Sequence, residues 1–584
     1  MLPINKIILQ DCPKKFTADQ DKALSPEETL KYFYRQAAAM DLELIAEAKR
    51  IDQGRLGIPV FFSVCGADAK ELLGTNKQMG KGASPAQAEA SACMELAERF
   101  SFFSFRQHPA NFVTGDYRKM LEAGYPVLPL EYLLKSVHDQ DTPPETAAEL
   151  LADIPLRWTW ATNLTLAREV LVPFSWFYAV NEFNGASAGN TLEEAALQGI
   201  CEVVERHVCA RISREKIAAP KIDPATVTDP VALDLLGKFK AHNIELYLHD
   251  FSLDTGICTV GAVAVDRSTF PQQSEIVYTA GTTPDPQKAL IRTITEVAQL
   301  AGDFNTGSNY EASGLPKPKS MAELAYITEA AETISIKDMN NLASGNIKTE
   351  VTNCLKAIKN LGLEVLAINT THPQLAIPAL YTIVPGLQFR ERPIGSSFGL
   401  FAARLAAEKI KDPLRLETKL EQMERLLPSS YFIDFYRGRN LYNMGMAKES
   451  LPYFDRALAG GPEKHDLPSI YSYQGHALQA AGEYDQAIAA LNKAEEYDSQ
   501  RPDLYNMLGV CYFKKQQYER AVTCFERAVA LNPASAMDYA NLGVNHQRLG
   551  HHQEAAHFFT LALSLDPSID FAREQLKIIE QEQN

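Results

Sequence analysis

The sequence predicts a mixed α and β domain followed by an all-α repeat array. Three observations carry that expectation. β-branched and aromatic runs alternate with amphipathic stretches up to about residue 410, no strand pattern survives beyond it, and the tail repeats small residues every 34 positions.

In chain order, LGIPVFFSVC (56–65), LVPFSWFYAV (171–180), IELYLHDF (244–251), GICTVGAVAV (256–265) and AIPALYTIVPG (376–386) read as strands. KDPLRLETKLEQMERLL (411–427) reads as a connecting helix. The organisation expected is an α/β domain over 1–410, a connector at 411–428 and a helical tail at 429–584. In the tail, Gly475, Gly509 and Gly543 are 34 residues apart, as are Ala487, Ala521 and Ala555, and the large residues Tyr484, Tyr518 and His552. An earlier copy, with Gly438 and Ser450, is offset by 37, which fits a short insertion around GGPEKHD. A 34-residue period with a small residue in each helix resembles tetratricopeptide repeats (TPRs), about four of them, in which small residues let paired helices approach closely. Such an array serves either as a groove for a partner protein or as a homodimerisation and packing module, and the sequence leaves both open.

At 584 residues the chain needs more than one core. Hydrophobic content of 46% and charged content of 22% are those of a globular protein. A formal net charge of -16 argues against direct nucleic-acid binding through the phosphate backbone. MLPINKIILQDCPKK has no cationic start followed by a long apolar run, and no stretch is apolar enough for a membrane span. The nine cysteines are scattered without a CxxC pair, which reads as reduced, mostly buried thiols in a cytoplasmic protein and argues against zinc.

Two segments carry the chemistry. GKGASPAQAEASACMELAERFS gives Ser84, Ala88, Glu95, Glu98 and Arg99; AGNTLEEAALQGICEVVERH gives Thr191, Ala195, Glu202, Glu205 and Arg206 at identical spacing. Ser84 and Thr191 are expected to cap helices. A third segment, PDPQKALIRTITEVAQLAG, repeats the frame weakly with Asp285, Ala289, Glu296 and Gln299. Residues three, four and seven apart share a helix face, so Ser91, Glu95, Glu98 and Arg99 form one stripe. Glu194, Gln198, Glu202, Glu205 and Arg206 form another.

Apolar neighbours Cys93, Met94, Ala97, Val203 and Val204 embed both helices. Solvated faces laced with Glu–Arg pairs would need no ligand. Embedded carboxylates do, because each costs several kcal/mol to bury without countercharge. Two arginines do not neutralise five glutamates, so Mg²⁺ with a nucleoside triphosphate is the expected complement. GTNKQMGKG (74–82) misses P-loop spacing, and Gly82 stands where Ser or Thr should follow the lysine. No GxSxG or HExxH occurs. The twelve histidines form no cluster, and His207 reads as structural.

These residues resemble the YcaO family. GKGAS…AxASAxxELxERFS and SAGNTxxEAxxQGxxEVxERH look like its two hallmark segments, GxxxPDPxxALxRTxTExAQ its third and YTIVPGLQ its closing strand, over roughly 15–405. The resemblance implies an ATP- and Mg²⁺-dependent enzyme that phosphorylates a backbone amide oxygen in a peptide or protein substrate. An internal Cys, Ser or Thr then gives an azoline, and external sulfide gives a thioamide. By position, Glu95, Glu98, Glu202 and Glu205 match the family's catalytic Mg²⁺ and triphosphate cluster. Ser91, Arg99, Asn190, Glu194, Gln198 and Arg206 match its nucleotide pocket. KALSPEET resembles the family's short lysine-to-hydroxyl segment, which implies that Lys22 and Thr29 contact the nucleotide, and Arg292 is expected as a further phosphate ligand.

Azoline-forming members end in a PxPxP tail, whereas this sequence ends in EQEQN after its repeats, which points away from cyclodehydration. A TPR-like extension is similar to bacterial members described as accessory factors in ribosomal-protein methylthiolation. Other sulfur-inserting members act with a TfuA-type partner. The resemblance thus implies an amide-activating enzyme whose tail recruits substrate or a sulfur-delivery protein. The alternative is an ATP-binding, non-catalytic scaffold for another modifying enzyme.

Overall fold

The computed structural model describes residues 6–307, 309–310, 314–389 and 397–582; MLPIN and the last two residues of EQEQN lie outside them. The chain forms two compact units, Met1–Phe401 and Ala402–Asn584.

The first unit is built on three sheets. The smallest is antiparallel, in the order Ile45–Arg50, Val60–Cys65, Lys77–Lys81. A five-stranded sheet runs Val277–Thr282, Thr259–Val265, Glu245–Asp250, Lys221–Ile222, Thr333–Ile334, antiparallel except for its last pair. A six-stranded sheet follows the path Val113–Gly115, Leu156–Asn163, Leu366–Asn369, Ala379–Ile383, Ala186–Ala188, with Arg168–Pro173 paired to Leu156–Asn163.

Three helices organise the core around these sheets: a first (Pro85–Gln107), a second (Leu192–Glu215) and a third (Pro286–Ala301). Ala195, Ile200, Val203, Val204 and Val208 of the second helix share one core with Val263 and Tyr278 of the five-stranded sheet and with Ala367 and Leu380 of the six-stranded one. Being apolar on both flanks explains why that helix has almost no amphipathic signature in the sequence beyond its charged stripe.

Four of the five expected runs hold strands where the pattern places them, at Val60–Cys65, Glu245–Asp250, Thr259–Val265 and Ala379–Ile383. The run at 171–180 is a correction: the strand ends at Pro173, and Phe174–Asn181 is a helix. Nearly all of that helix is buried, with Trp176 against Phe398 at 4.6 Å and Phe174 against Tyr381 at 6.0 Å. A short helix with little exposed surface shows a nearly continuous apolar run, which periodicity cannot separate from a strand.

The second unit contains Pro413–Leu426, then four antiparallel helix pairs: Tyr431–Asn443 with Ala447–Ala459, Leu467–Ala480 with Tyr484–Tyr497, Pro502–Lys514 with Tyr518–Leu531, and Ala536–Arg548 with His552–Leu565. Asp570–Glu582 closes the stack. The repeating glycines have a packing reason. A Cβ on Gly438 would lie 2.9 Å from the Phe454 ring, and on Gly475, Gly509 or Gly543 it would lie 2.7 Å from Leu491, Phe525 or Phe559. In every pair the glycine receives the large side chain sixteen positions on. Among the described residues no helix is long and apolar enough to cross a membrane.

Candidate active site: three strand–turn–helix units around one cavity

The repeated frame read from the sequence is a repeated structure. Strands end at Lys81, Ala188 and Thr282, each three residues before a helix cap. Ser84 Oγ accepts the Gln87 N–H at 3.3 Å, Thr191 Oγ1 the Glu194 N–H at 3.2 Å, and Asp285 Oδ1 the N–H groups of Gln287 and Lys288 at 2.8 and 3.4 Å. These bonds satisfy orphan donors of the first turn.

Four residues before each cap stand Gly80, Ser187 and Gly281, and eight after it Ala92, Gly199 and Thr293. The two positions touch in all three units. A Cβ on Gly80 would strike the Ala92 backbone, one on Gly199 would lie 2.8 Å from Ser187 Oγ, and one on Gly281 would lie 2.7 Å from Thr293 Oγ1. Ser187 Oγ donates to the Ala195 carbonyl at 2.8 Å. Small residues at this crossing seat each helix flush on its own strand, so the side chains two and three turns in point to a common centre.

That centre is a cavity of about 1020 Å³, large enough for a nucleotide. Glu95, Glu98, Glu202 and Glu205 line it together with Ser91, Arg99, Asn190, Glu194, Gln198, Arg206 and Arg292, and so do Lys22 and Thr29. All thirteen residues singled out from the sequence thus surround one space.

Their partners differ. Arg99 donates to Glu95 Oε1 from Nε at 3.0 Å and from Nη2 at 2.8 Å, and its Nε lies 3.6 Å from Glu98. Its guanidinium also stacks 4.4 Å from the Phe183 ring. Arg206 lies 3.6 Å from Glu202, and Arg292 lies 3.8 Å from Glu205 and donates to Gln198 at 3.3 Å. Glu205 accepts the Thr282 N–H at 3.0 Å. Glu194 is turned toward protein: it accepts from Ala23 N–H and from the backbone and side-chain amides of Asn190, tying the Lys22 segment to the second helix.

Burial, then Glu95, raises the Glu98 pKa well above the usual carboxylate range, with Glu202 adding to it. Burial raises Glu202 as well, although Arg206 and Arg99 pull the other way. Arg99 is held charged: burial opposes, but Glu95, Glu98 and Glu202 outweigh it.

One point of the sequence reading is corrected. Counting only Arg99 and Arg206 as countercharges missed Lys81, which pairs with Glu296, and Arg292, which approaches Glu205. Burial and Arg292 push Lys81 down to about 7, while Glu205 and Glu95 oppose the shift; direct contact with Glu296 favours the ammonium. The acidic excess is therefore local, three carboxylates around one guanidinium, rather than a property of the whole pocket. Glu296 occupies the frame position of Glu95 and Glu202, so the weak third repeat was the signal for it.

The donor set fits Mg²⁺ brought in with phosphates. Among the described residues no group of three acidic, histidine or cysteine side chains is close enough to hold a metal ion unaided. Mg²⁺ commonly uses one or two carboxylates and completes its shell with water and phosphate oxygens. Two buried polar atoms in the cavity wall, Arg99 Nη1 and Asn190 Oδ1, have no hydrogen-bond partner among the described residues, a donor and an acceptor for a polar ligand. His207 is occupied elsewhere: its Nδ1 accepts the Gln388 N–H at 3.0 Å, and burial lowers its pKa to about 4.

Residues 79–388 match the family profile described as YcaO cyclodehydratase, ATP- and Mg²⁺-binding, and residues 474–536 and 512–568 match a tetratricopeptide-repeat profile. An uncharacterised protein of Methanothermobacter thermautotrophicus is 29% identical over 394 residues, which cover 63% of this chain and 95% of that protein. The ribosomal protein S12 methylthiotransferase accessory factor YcaO of Escherichia coli is 36% identical over 121 residues, 20% of either chain. A heterocyclase solved in complex with substrate and cofactor has the same fold over 66% of this chain, with TM-score 0.54 at 22% identity; the match covers 54% of that heterocyclase. With a family match spanning more than half its length, over the segment that builds most of the cavity, the chain belongs to the ATP- and Mg²⁺-binding YcaO family and carries TPR repeats after its YcaO domain.

Proposed function

We propose that the first unit uses ATP and Mg²⁺ to phosphorylate a backbone amide oxygen in a peptide or protein, preparing that amide for sulfur insertion or heterocyclisation. The observation that carries this reading is the convergence of Glu95, Glu98, Glu202 and Glu205 with Arg99, Arg206 and Arg292 on one cavity. An amide oxygen is a weak nucleophile, so the chain's task is to hold it in line with the γ-phosphoryl group and to neutralise charge. Glu95, Glu98, Glu202 and Glu205 would hold Mg²⁺, which supplies Lewis-acid neutralisation of the triphosphate. Arg99 and Arg206 are placed to bind phosphate oxygens, and Asn190 Oδ1 to accept from the nucleotide. Lys22 and Thr29 are held at the cavity because Glu194 anchors the backbone of Ala23.

The TPR unit would recruit the substrate or a sulfur-delivering protein, which agrees with the partial similarity to a methylthiotransferase accessory factor. The test is capture of interacting proteins with the full chain, then incubation with Mg·ATP, with and without sulfide, and mass spectrometry. Exchange of one backbone oxygen for sulfur, or loss of one water, only with ATP is the expected result. ATP turnover with no mass change in any captured protein would count against amide activation.

A further inference from the structure

Lys81 lies between Gly80 and Gly82, and neither glycine leaves room for a Cβ. On Gly80 it would strike the backbone of Ala92; on Gly82 it would lie 2.6 Å from Gln87 Cγ and 2.7 Å from Ala88 N. Both approaches press the strand end against the first helix. Side chains alternate along a strand, so Lys81 leaves on the opposite face with Met79. Its register partner is Val60, and Phe62 stands opposite Met79; all of these line the cavity.

There the ammonium meets Glu296 of the third helix. It lies in the field of Glu95 from the first helix, Glu205 and Arg206 from the second, and Arg292 from the third. Arg99 and Arg206 each pair with a carboxylate one turn earlier on their own helix, at fixed short range. Lys81 alone among these cations reaches the convergence point from a strand, on an unbranched four-carbon stem. A compact point charge on such a stem is how P-loop proteins reach a terminal phosphate. GTNKQMGKG lacks P-loop spacing, and its backbone is an antiparallel strand end, yet it sets a glycine-flanked lysine three residues before a helix cap.

We propose that Lys81 is the lysine that contacts the γ-phosphoryl group of ATP, leaving Glu296 as the nucleotide enters. The assignment rests on the Mg·ATP reading of the cavity given above. As the bond from the amide oxygen to phosphorus forms and the bond from phosphorus to the ADP oxygen breaks, Lys81 neither gives nor takes a proton. It balances charge on the equatorial oxygens.

The test is titration calorimetry on the full chain with Mg·ADP and with the magnesium complex of a β,γ-methylene ATP analogue, for wild type, Lys81→Met and Lys81→Arg. Lys81→Met is expected to lose about tenfold or more in analogue affinity while ADP affinity stays within about twofold, and Lys81→Arg to recover most of the difference. Retained ADP binding shows in the same experiment that the pocket is folded; should Lys81→Met not fold, Lys81→Gln carries the comparison. Equal loss for both nucleotides, or no loss for either, overturns the assignment. A wild-type chain that binds neither nucleotide overturns the Mg·ATP reading itself, a different failure from a lysine that makes no distinction between them.

Discussion

Arg99 donates two hydrogen bonds to a single oxygen of Glu95, one turn before it, while its own Nη1 has no hydrogen-bond partner among the described residues. The guanidinium is the only cation within 4 Å of both Glu95 and Glu98 among the described residues. Arg99→Met should destabilise the nucleotide-free protein by on the order of 2 kcal/mol at pH 8, below the full cost of orphaning a buried charge because Glu95 keeps part of its side chain in water. The loss should shrink toward pH 5 as the neighbouring carboxyls protonate. Thermal melts at the two pH values check this, and a pH-independent loss would assign Arg99 a packing role over Phe183 instead.

Glu98 and Glu202 have raised pKa values in the folded protein, so folding favours their protonated forms. Their contribution to stability is complete below the ordinary carboxylate range and is lost as pH rises through the raised values. Glu98→Gln should therefore raise the melting temperature of the nucleotide-free protein by a few degrees at pH 8, with less effect at pH 5. A lowered melting temperature at pH 8 would show that Glu98 is stabilised by its neighbours rather than strained by them.

Metal binding takes the carboxylate forms only, so Mg·nucleotide binding should release protons and weaken as pH falls. Lys81, near 7, can take up a proton as phosphate arrives, which has the opposite sign. At pH 6 the lysine is already mostly protonated, leaving the glutamates to decide. Calorimetry at pH 6 in two buffers of different ionisation enthalpy should show net proton release; net uptake would contradict the assigned ligands.

The strand–helix crossing makes a prediction about folding. Gly80→Ala should cost roughly 1–3 kcal/mol, because the clash is with helix backbone that cannot move aside. Gly237→Ala, in a helix with open space around the added carbon, should stabilise by about 1 kcal/mol. Urea unfolding of both variants settles the comparison, and similar midpoints would mean that the crossing tolerates expansion.

Every residue assigned to the cavity lies in the first unit. Removing 429–584 should leave nucleotide affinity within about twofold while abolishing capture of the partner or substrate. Loss of soluble expression would instead give the repeats a structural role.

The carboxylate stripes, the caps Ser84, Thr191 and Asp285 and the repeat glycines were legible because each obeys a local spacing rule. Gly509 must be small for Phe525, sixteen residues on, and that relation recurs every 34 residues. Helix Phe174–Asn181 was not legible, since with six of its eight residues buried it shows no exposed polar face to mark it as a helix. The strands Leu156–Asn163, Val277–Thr282 and Leu366–Asn369 also escaped; mostly or wholly buried, they show little of the alternation that marks a half-exposed strand. Lys81 was passed over with the failed P-loop spacing. Its meeting with Glu296, more than two hundred residues away, is set by the third helix and by no local pattern.

The central claim is that the facing glutamates of the first and second helices exist to receive a metal-bound triphosphate. Titration of Mg·ATP into wild type, Glu202→Gln and Glu205→Gln tests it most directly, with circular dichroism on the same samples. Saturable binding by the wild type, lost by about a hundredfold or more in both folded variants, is the expected result. Equal affinity in all three would contradict it.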